Sequence, residues 1–146
     1  MEATQEDQAC TAYSRFILDT GMQQDWFALQ MAMLPCLLGY GMVAARIAEL
    51  QKPPRTEAES HEEVQGSDNG HASNDDSAAS DNAYLKWIGN YTADDYVEAI
   101  VKGCNLAEQY AAKQSPSRIE ELVQVFLHAT NMETGFWDMG LRAGEN

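Results

Sequence analysis

"SPSRIEELVQVFLHATNMETGFWDM", residues 115–139, reads as one helix whose start is written into its first residues. Ser115 can cap it, and Pro116 suits the first helical position, where a missing N–H costs nothing. Ser117 with Glu120 offers an alternative capping box. Behind this start, Ile119, Leu122, Val123, Phe126, Ala129 and Thr130 recur at spacings of three and four, as expected of a helix with one inward face. Glu133 falls seven residues after Phe126, so a carboxylate lies on that face. Burying an ionised Glu costs several kcal/mol, so the group must find a cation, take up a proton or line a wet pocket. Phe136, one turn later, sets an aromatic ring beside it, as plain core or as the wall of a flat site.

The rest of the chain has the same period. A helix over about 5–19 is expected to stop near Gly21, and a second over about 23–50 contains Pro35, which should bend it just before Cys36. "YLKWIGNY", residues 84–91, makes a short helix. "TADDYVEAIVKGCNLAEQYAAK", residues 92–113, makes a longer one with Thr92 as candidate N-cap and acids in its first turn. No stretch alternates with period two, and no Asn-Gly or Asp-Gly turn joins strand-like runs, so the expectation is an all-α domain.

Residues 51–82 break the pattern. They hold eight acids, two bases, no aromatic, and Val64 as their one large aliphatic, too little apolar surface to offset the entropy of ordering. A disordered acidic insertion within one domain is expected there, carrying His61 and His71 and a net charge of −6 out of −14. The overall charge repels phosphate backbones and anionic lipid, so neither nucleic acid nor a membrane is an expected partner. The chain has no uninterrupted run of about 18 apolar residues, and "MEATQEDQAC" lacks the basic start and apolar centre of a secretory signal. Cys10, Cys36 and Cys104 form no CxxC pair and read as reduced thiols, which fits a cytoplasmic protein.

In the second helix, Leu29, Ala32, Met33, Cys36, Tyr40, Val43 and Ile47 mark an inward stripe, which sets a thiol and a phenol one turn apart. Two readings stand side by side: Cys36 as a small core hydrophobe, or Cys36 as a nucleophile facing a pocket. His128 has no second histidine at ligand spacing, so no metal is assigned. There is no Gly-rich phosphate loop and no GxSxG elbow, which leaves phosphoryl transfer and serine hydrolysis without support.

"YSRFILDTG" (13–21), "LPCLLGYG" (34–41), "YLKWIGNY" (84–91) and the Met-Glu-x-x-Phe-Trp-Asp pattern ending the 115–139 stretch together resemble the TenA/thiaminase II family, in its fungal branch. The resemblance covers residues 11 to about 139 apart from the insertion. It implies a haem oxygenase-like helical bundle without cofactor or metal. The implied reaction is hydrolysis at the exocyclic methylene of a 4-aminopyrimidine, either releasing ammonia from an aminomethyl compound or splitting thiamin. By position, Cys36 would be the nucleophile and Glu133 the proton shuttle. Tyr13, Tyr40 and Tyr91 would orient the ring, with Phe136 beside it, and Tyr84 competes with Tyr91 for its place.

The family's N-terminal helices, which supply a pyrimidine-binding aspartate and another aromatic, have no counterpart here, so residues 1–146 read as a partial domain. An apolar face left uncovered would favour a homo-oligomer or a partner chain. The alternative to an enzyme is a non-catalytic helical interaction module that keeps the fold, or an inactive fragment of a larger thiamin-metabolism protein.

Overall fold

A computed structural model of the chain describes residues 6–52 and 82–143, all of it helices and short connections. The helices are α1 (Gln8–Gln23), α2 (Trp26–Leu50), α3 (Ala83–Thr92), α4 (Asp94–Ala111) and α5 (Pro116–Ala143). The described residues contain no strand, in line with the expected all-α class. From residue 53 to 81 the expected acidic insertion lies outside the described residues.

Each start has a local cause. Asp7 caps α1 by accepting from the Ala9 N–H at 2.8 Å, and Asp25 caps α2 by accepting from the Ala28 N–H at 2.8 Å. Asn82, assigned from sequence to the insertion, is already the cap of α3 and accepts from the Tyr84 N–H at 2.9 Å. Ser115 caps α5 as expected, its Oγ accepting from the Arg118 N–H at 3.2 Å. Thr92 does not cap α4. It closes α3 instead, its hydroxyl donating to the Ile88 carbonyl at 2.9 Å, and Ala93 takes the cap position without a side-chain bond. A threonine one residue before a helix junction can bond backward as well as forward, and here the backward bond wins.

Two further expectations need correction. Helix α1 does not stop at Gly21 but runs two residues past it. The absent side chain serves contact rather than termination, because a Cβ there would lie 3.3 Å from Leu29 Cδ1 on α2. In α2 the buried positions are Phe27, Ala28, Ala32, Pro35, Gly41 and Ala44, whereas Met33, Cys36 and Val43 of the expected stripe are exposed. The physical reason is the place of α2. It packs on all four other helices, and where helices approach most closely the small side chains face inward. Helix α2 continues through Pro35 as one element. By length and composition it is also long and apolar enough to cross a membrane, properties that equally suit the central helix of a bundle.

A buried apolar core joins Phe27 and Ala28 of α2 to Leu122 of α5, flanked by Met31, Ala107, Ala111 and Ile119. Burial of Phe27 and Leu122 stabilises by roughly 1.5–3 kcal/mol each. Beside this core, Arg118 ties α5 to the start of α2, donating to Asp25 at 2.7 Å and to Glu121 at 2.8 Å.

Candidate functional site

Further along α2 the packing opens. Tyr13 from α1, Cys36 and Tyr40 from α2, Tyr91 from α3 and Tyr96 from α4 line, with apolar neighbours, a cavity of ≈ 490 Å³. Four helices thus contribute to one concavity, and α5 contributes Glu133 beside it. Glu133 is 7% exposed, and neither carboxylate oxygen has a hydrogen-bond partner among the described residues. Its charge reaches Tyr13, Cys36, Tyr40 and Tyr96, raising the pKa of each.

The phenols and the thiol respond in one direction. Burial pushes the Tyr13 hydroxyl well above the ordinary tyrosine value, and the adjacent Glu133 adds to it. Tyr13 Oη and both Glu133 oxygens are buried and make no well-aligned hydrogen bond, yet the phenol stands within hydrogen-bonding reach of the carboxylate, which adds to the rise. Tyr40 is pushed up to about 12, by burial first and then by Glu133. Cys36 is raised above its ordinary value by burial and then by Glu133. The residue is nonetheless exposed, so it lines the cavity while remaining open to solvent. The expected buried thiol is thus a thiol at a cavity mouth, held protonated at neutral pH.

An aromatic cluster backs the cavity. Tyr40 lies 5.0 Å from Tyr91 and 5.2 Å from Trp137 between ring centroids, and Trp87 lies 4.9 Å from Tyr91. Tyr91 therefore faces the cavity, whereas its competitor Tyr84 is 81% exposed. Phe136 is half-buried on α5 and does not line the cavity.

Sequence reasoning missed Tyr96, which lines the cavity, packs edge-on against Tyr91 at 4.9 Å and donates its hydroxyl to the Leu37 carbonyl at 2.9 Å. A signal was available. Tyr96, Ile100, Gly103, Ala107 and Ala111 recur at spacings of three and four and form the half-buried stripe of α4. Trp87 and Trp137 were quoted within motifs without a role. No group of three or more His, Cys, Asp or Glu side chains with metal-binding geometry occurs among the described residues.

A pocket of phenols and one thiol, with a buried carboxylate beside it, can bind a flat, weakly basic ring, donate hydrogen bonds to it, and exchange a proton with it. Residues 1–143 match the TENA/THI-4/PQQC family. The chain is 39% identical over 138 residues to a putative hydroxymethylpyrimidine/phosphomethylpyrimidine kinase 2 of Schizosaccharomyces pombe, which covers 94% of this chain and 20% of that protein. It is 33% identical to an uncharacterized protein of Haemophilus influenzae, over 94% of this chain and 53% of that protein. A hydroxymethylpyrimidine/phosphomethylpyrimidine kinase of Saccharomyces cerevisiae is 25% identical over 91% of this chain and 20% of its own length. The chain therefore spans between a fifth and about half of the length of these relatives. With the family matched over nearly all of its residues, the chain belongs to the TENA/THI-4/PQQC family.

Proposed function

We propose that the chain acts in thiamin metabolism as a hydrolase of the aminopyrimidine half. It would release ammonia from 4-amino-5-aminomethyl-2-methylpyrimidine, or split thiamin at the same methylene. The observation that carries this reading is the convergence of Cys36 and the unpartnered, buried Glu133 on one tyrosine-lined cavity. The fungal relatives' names support the pyrimidine substrate class. They do not support a kinase activity here, since this chain spans a fifth of those proteins and its sequence has no Gly-rich phosphate loop.

In this mechanism the Cys36 thiol passes its proton to Glu133 as its sulfur adds to an electron-poor ring carbon, and Glu133 passes that proton on to the ring nitrogen that takes up the displaced electron pair. The electrons pushed into the ring then expel the amine, in its protonated form, from the exocyclic methylene as ammonia. Water adds at that methylene, the C–S bond breaks, and thiol and ring return unchanged. The net reaction consumes one water, leaves the hydroxymethyl product and releases ammonia. The electrostatics favour coupling of the two groups. A negative Glu133 opposes formation of the Cys36 thiolate, so a proton arriving on Glu133 as sulfur attacks removes that opposition. Tyr13 and Tyr40, held as neutral phenols, remain hydrogen-bond donors throughout.

A cytoplasmic setting belongs to this proposal and rests on the three free thiols. Association with a second copy or a partner chain also belongs to it, because Leu18, Met22, Met42 and Leu141 each stand more than half exposed. The same exposure supports a second reading, a binding module that no longer turns over substrate.

Hydrolysis of the aminomethylpyrimidine by the purified chain, with Cys36→Ala alongside, separates the two. The expected result is turnover that falls by about 10³-fold or more in the variant. A folded wild type without turnover, or equal turnover in both proteins, contradicts the hydrolase.

A further inference from the structure

We propose that Tyr96 is a positioning residue that holds the Cys36 turn of α2 against α4, with Gly41 and Gly103 as the notches that admit the contact. The inference rests on the reading of Cys36 as the nucleophile. The turn needs outside support. Pro35 has no N–H, so α2 lacks one i to i−4 hydrogen bond directly before Cys36.

Three contacts from α4 meet that turn. Tyr96 Oη donates to the carbonyl of Leu37, the residue after Cys36, at 2.9 Å. A Cβ at Gly103 would lie 2.9 Å from Leu37 Cδ2, closer than real contacts allow, so the glycine makes room for the Leu37 side chain. A Cβ at Gly41 would overlap Ile100 Cδ1 and press on Tyr96 Cε1 at 3.3 Å, so this second glycine makes room for α4 in return. Leu37 enters α4, Ile100 enters α2, and the phenol bonds between them. Because the Tyr96 hydroxyl is spent on the backbone, only its ring faces the cavity, where Tyr91 meets it edge-on.

The consequence for Cys36 is a fixed position against its cavity neighbours, which partly desolvate the thiol. The other titratable groups around the thiol are Tyr13 on α1, Tyr40 on α2, Tyr91 on α3 and Glu133 on α5, and Tyr96→Phe leaves all of them in place.

The test is the pH profile of Cys36 alkylation by iodoacetamide in the full chain, read by mass spectrometry on the Cys36 peptide with Cys104 as internal reference. In Tyr96→Phe the loosened turn admits water. Cys36 should react about threefold faster at pH 8, with its profile moved to lower pH and Cys104 unchanged. Gly41→Ala keeps the phenol but displaces the Ile100 side chain and presses on the Tyr96 ring, and should move Cys36 in the same direction. Turnover by Tyr96→Phe should fall about tenfold in kcat with KM within about twofold, the signature of lost positioning rather than lost binding. Wild-type Cys36 profiles in either folded variant overturn the proposal. Absence of turnover in the wild type would defeat the hydrolase reading alone, because alkylation reports the hold on Cys36 without any substrate.

Discussion

The start and the middle of α2 handle polar groups in opposite ways. At its start, Asp25 accepts from the Ala28 amide and from Arg118, and Phe27 and Ala28 pack on Leu122. In its middle, Cys36 and Tyr40 face a cavity beside a carboxylate whose two oxygens, like the Tyr13 hydroxyl, have no partner among the described residues. The start meets the ordinary requirement that polar groups be bonded and apolar groups be close-packed. The middle departs from it on three atoms within one cluster. Such a departure costs stability where it occurs, and in the proposed function it is the place where a carboxylate and phenols would meet a ligand. The comparison suggests that fold and chemistry occupy different thirds of the same helix.

The largest expected effect lies at the packed start. Leu122→Ala should cost about 2–5 kcal/mol in urea unfolding, because it removes a side chain from the buried apolar core, and it should leave turnover per folded molecule near wild type. Comparable loss from Met33→Ala, an exposed position at the cavity, would erase the distinction. Asp25→Ala should cost about 0.5–2 kcal/mol through the lost cap.

The two regions should also differ in their response to pH. The Ala28 amide and then Arg118 hold the Asp25 carboxyl below its ordinary 3.8. Its contribution is therefore present above that value and is lost as the pH falls through the lower, folded one. The cavity groups run the other way. The Cys36 thiol lies above its ordinary 9.0, and the Tyr13 and Tyr40 phenols above 10.0, so folded stability is intact below these values and falls as the pH rises through the raised ones. Asp25→Asn should flatten the acid arm of a stability profile and Tyr13→Phe the alkaline arm. One variant flattening both would mean that the two regions are not independent. The smallest effect is kinetic. Glu133→Gln should speed Cys36 alkylation at pH 8 by a few-fold, because it removes a negative charge that opposes the thiolate.

Much of this division was legible in the sequence, and the parts that were not have physical causes. The α5 stripe located Leu122, Ala129 and Glu133 as inward residues, and Ser115 as the cap, because these fall on the centre line of a face covered mainly on one side, whereas Val123 and Thr130, expected on the same stripe, lie at its edge and are exposed. The same reasoning misplaced Met33, Cys36 and Val43, because α2 is covered by four neighbours and its closest contacts use Ala and Gly rather than large apolar side chains. Gly21 looked like a stop, yet its role is contact with Leu29, which local sequence does not reveal. The motifs named Tyr13, Cys36, Tyr40 and Tyr91, and these share one cavity. Tyr96 escaped because its bond to Leu37 spans 59 residues of sequence.

The most direct test of the central claim is Glu133→Gln, with urea unfolding at pH 7 measured beside aminopyrimidine hydrolysis. If the unpartnered carboxylate is kept for chemistry at the expense of stability, the variant should unfold at higher urea than the wild type while losing turnover. A variant that is both less stable and fully active would contradict the account, since Glu133 would then be holding the fold rather than serving the cavity.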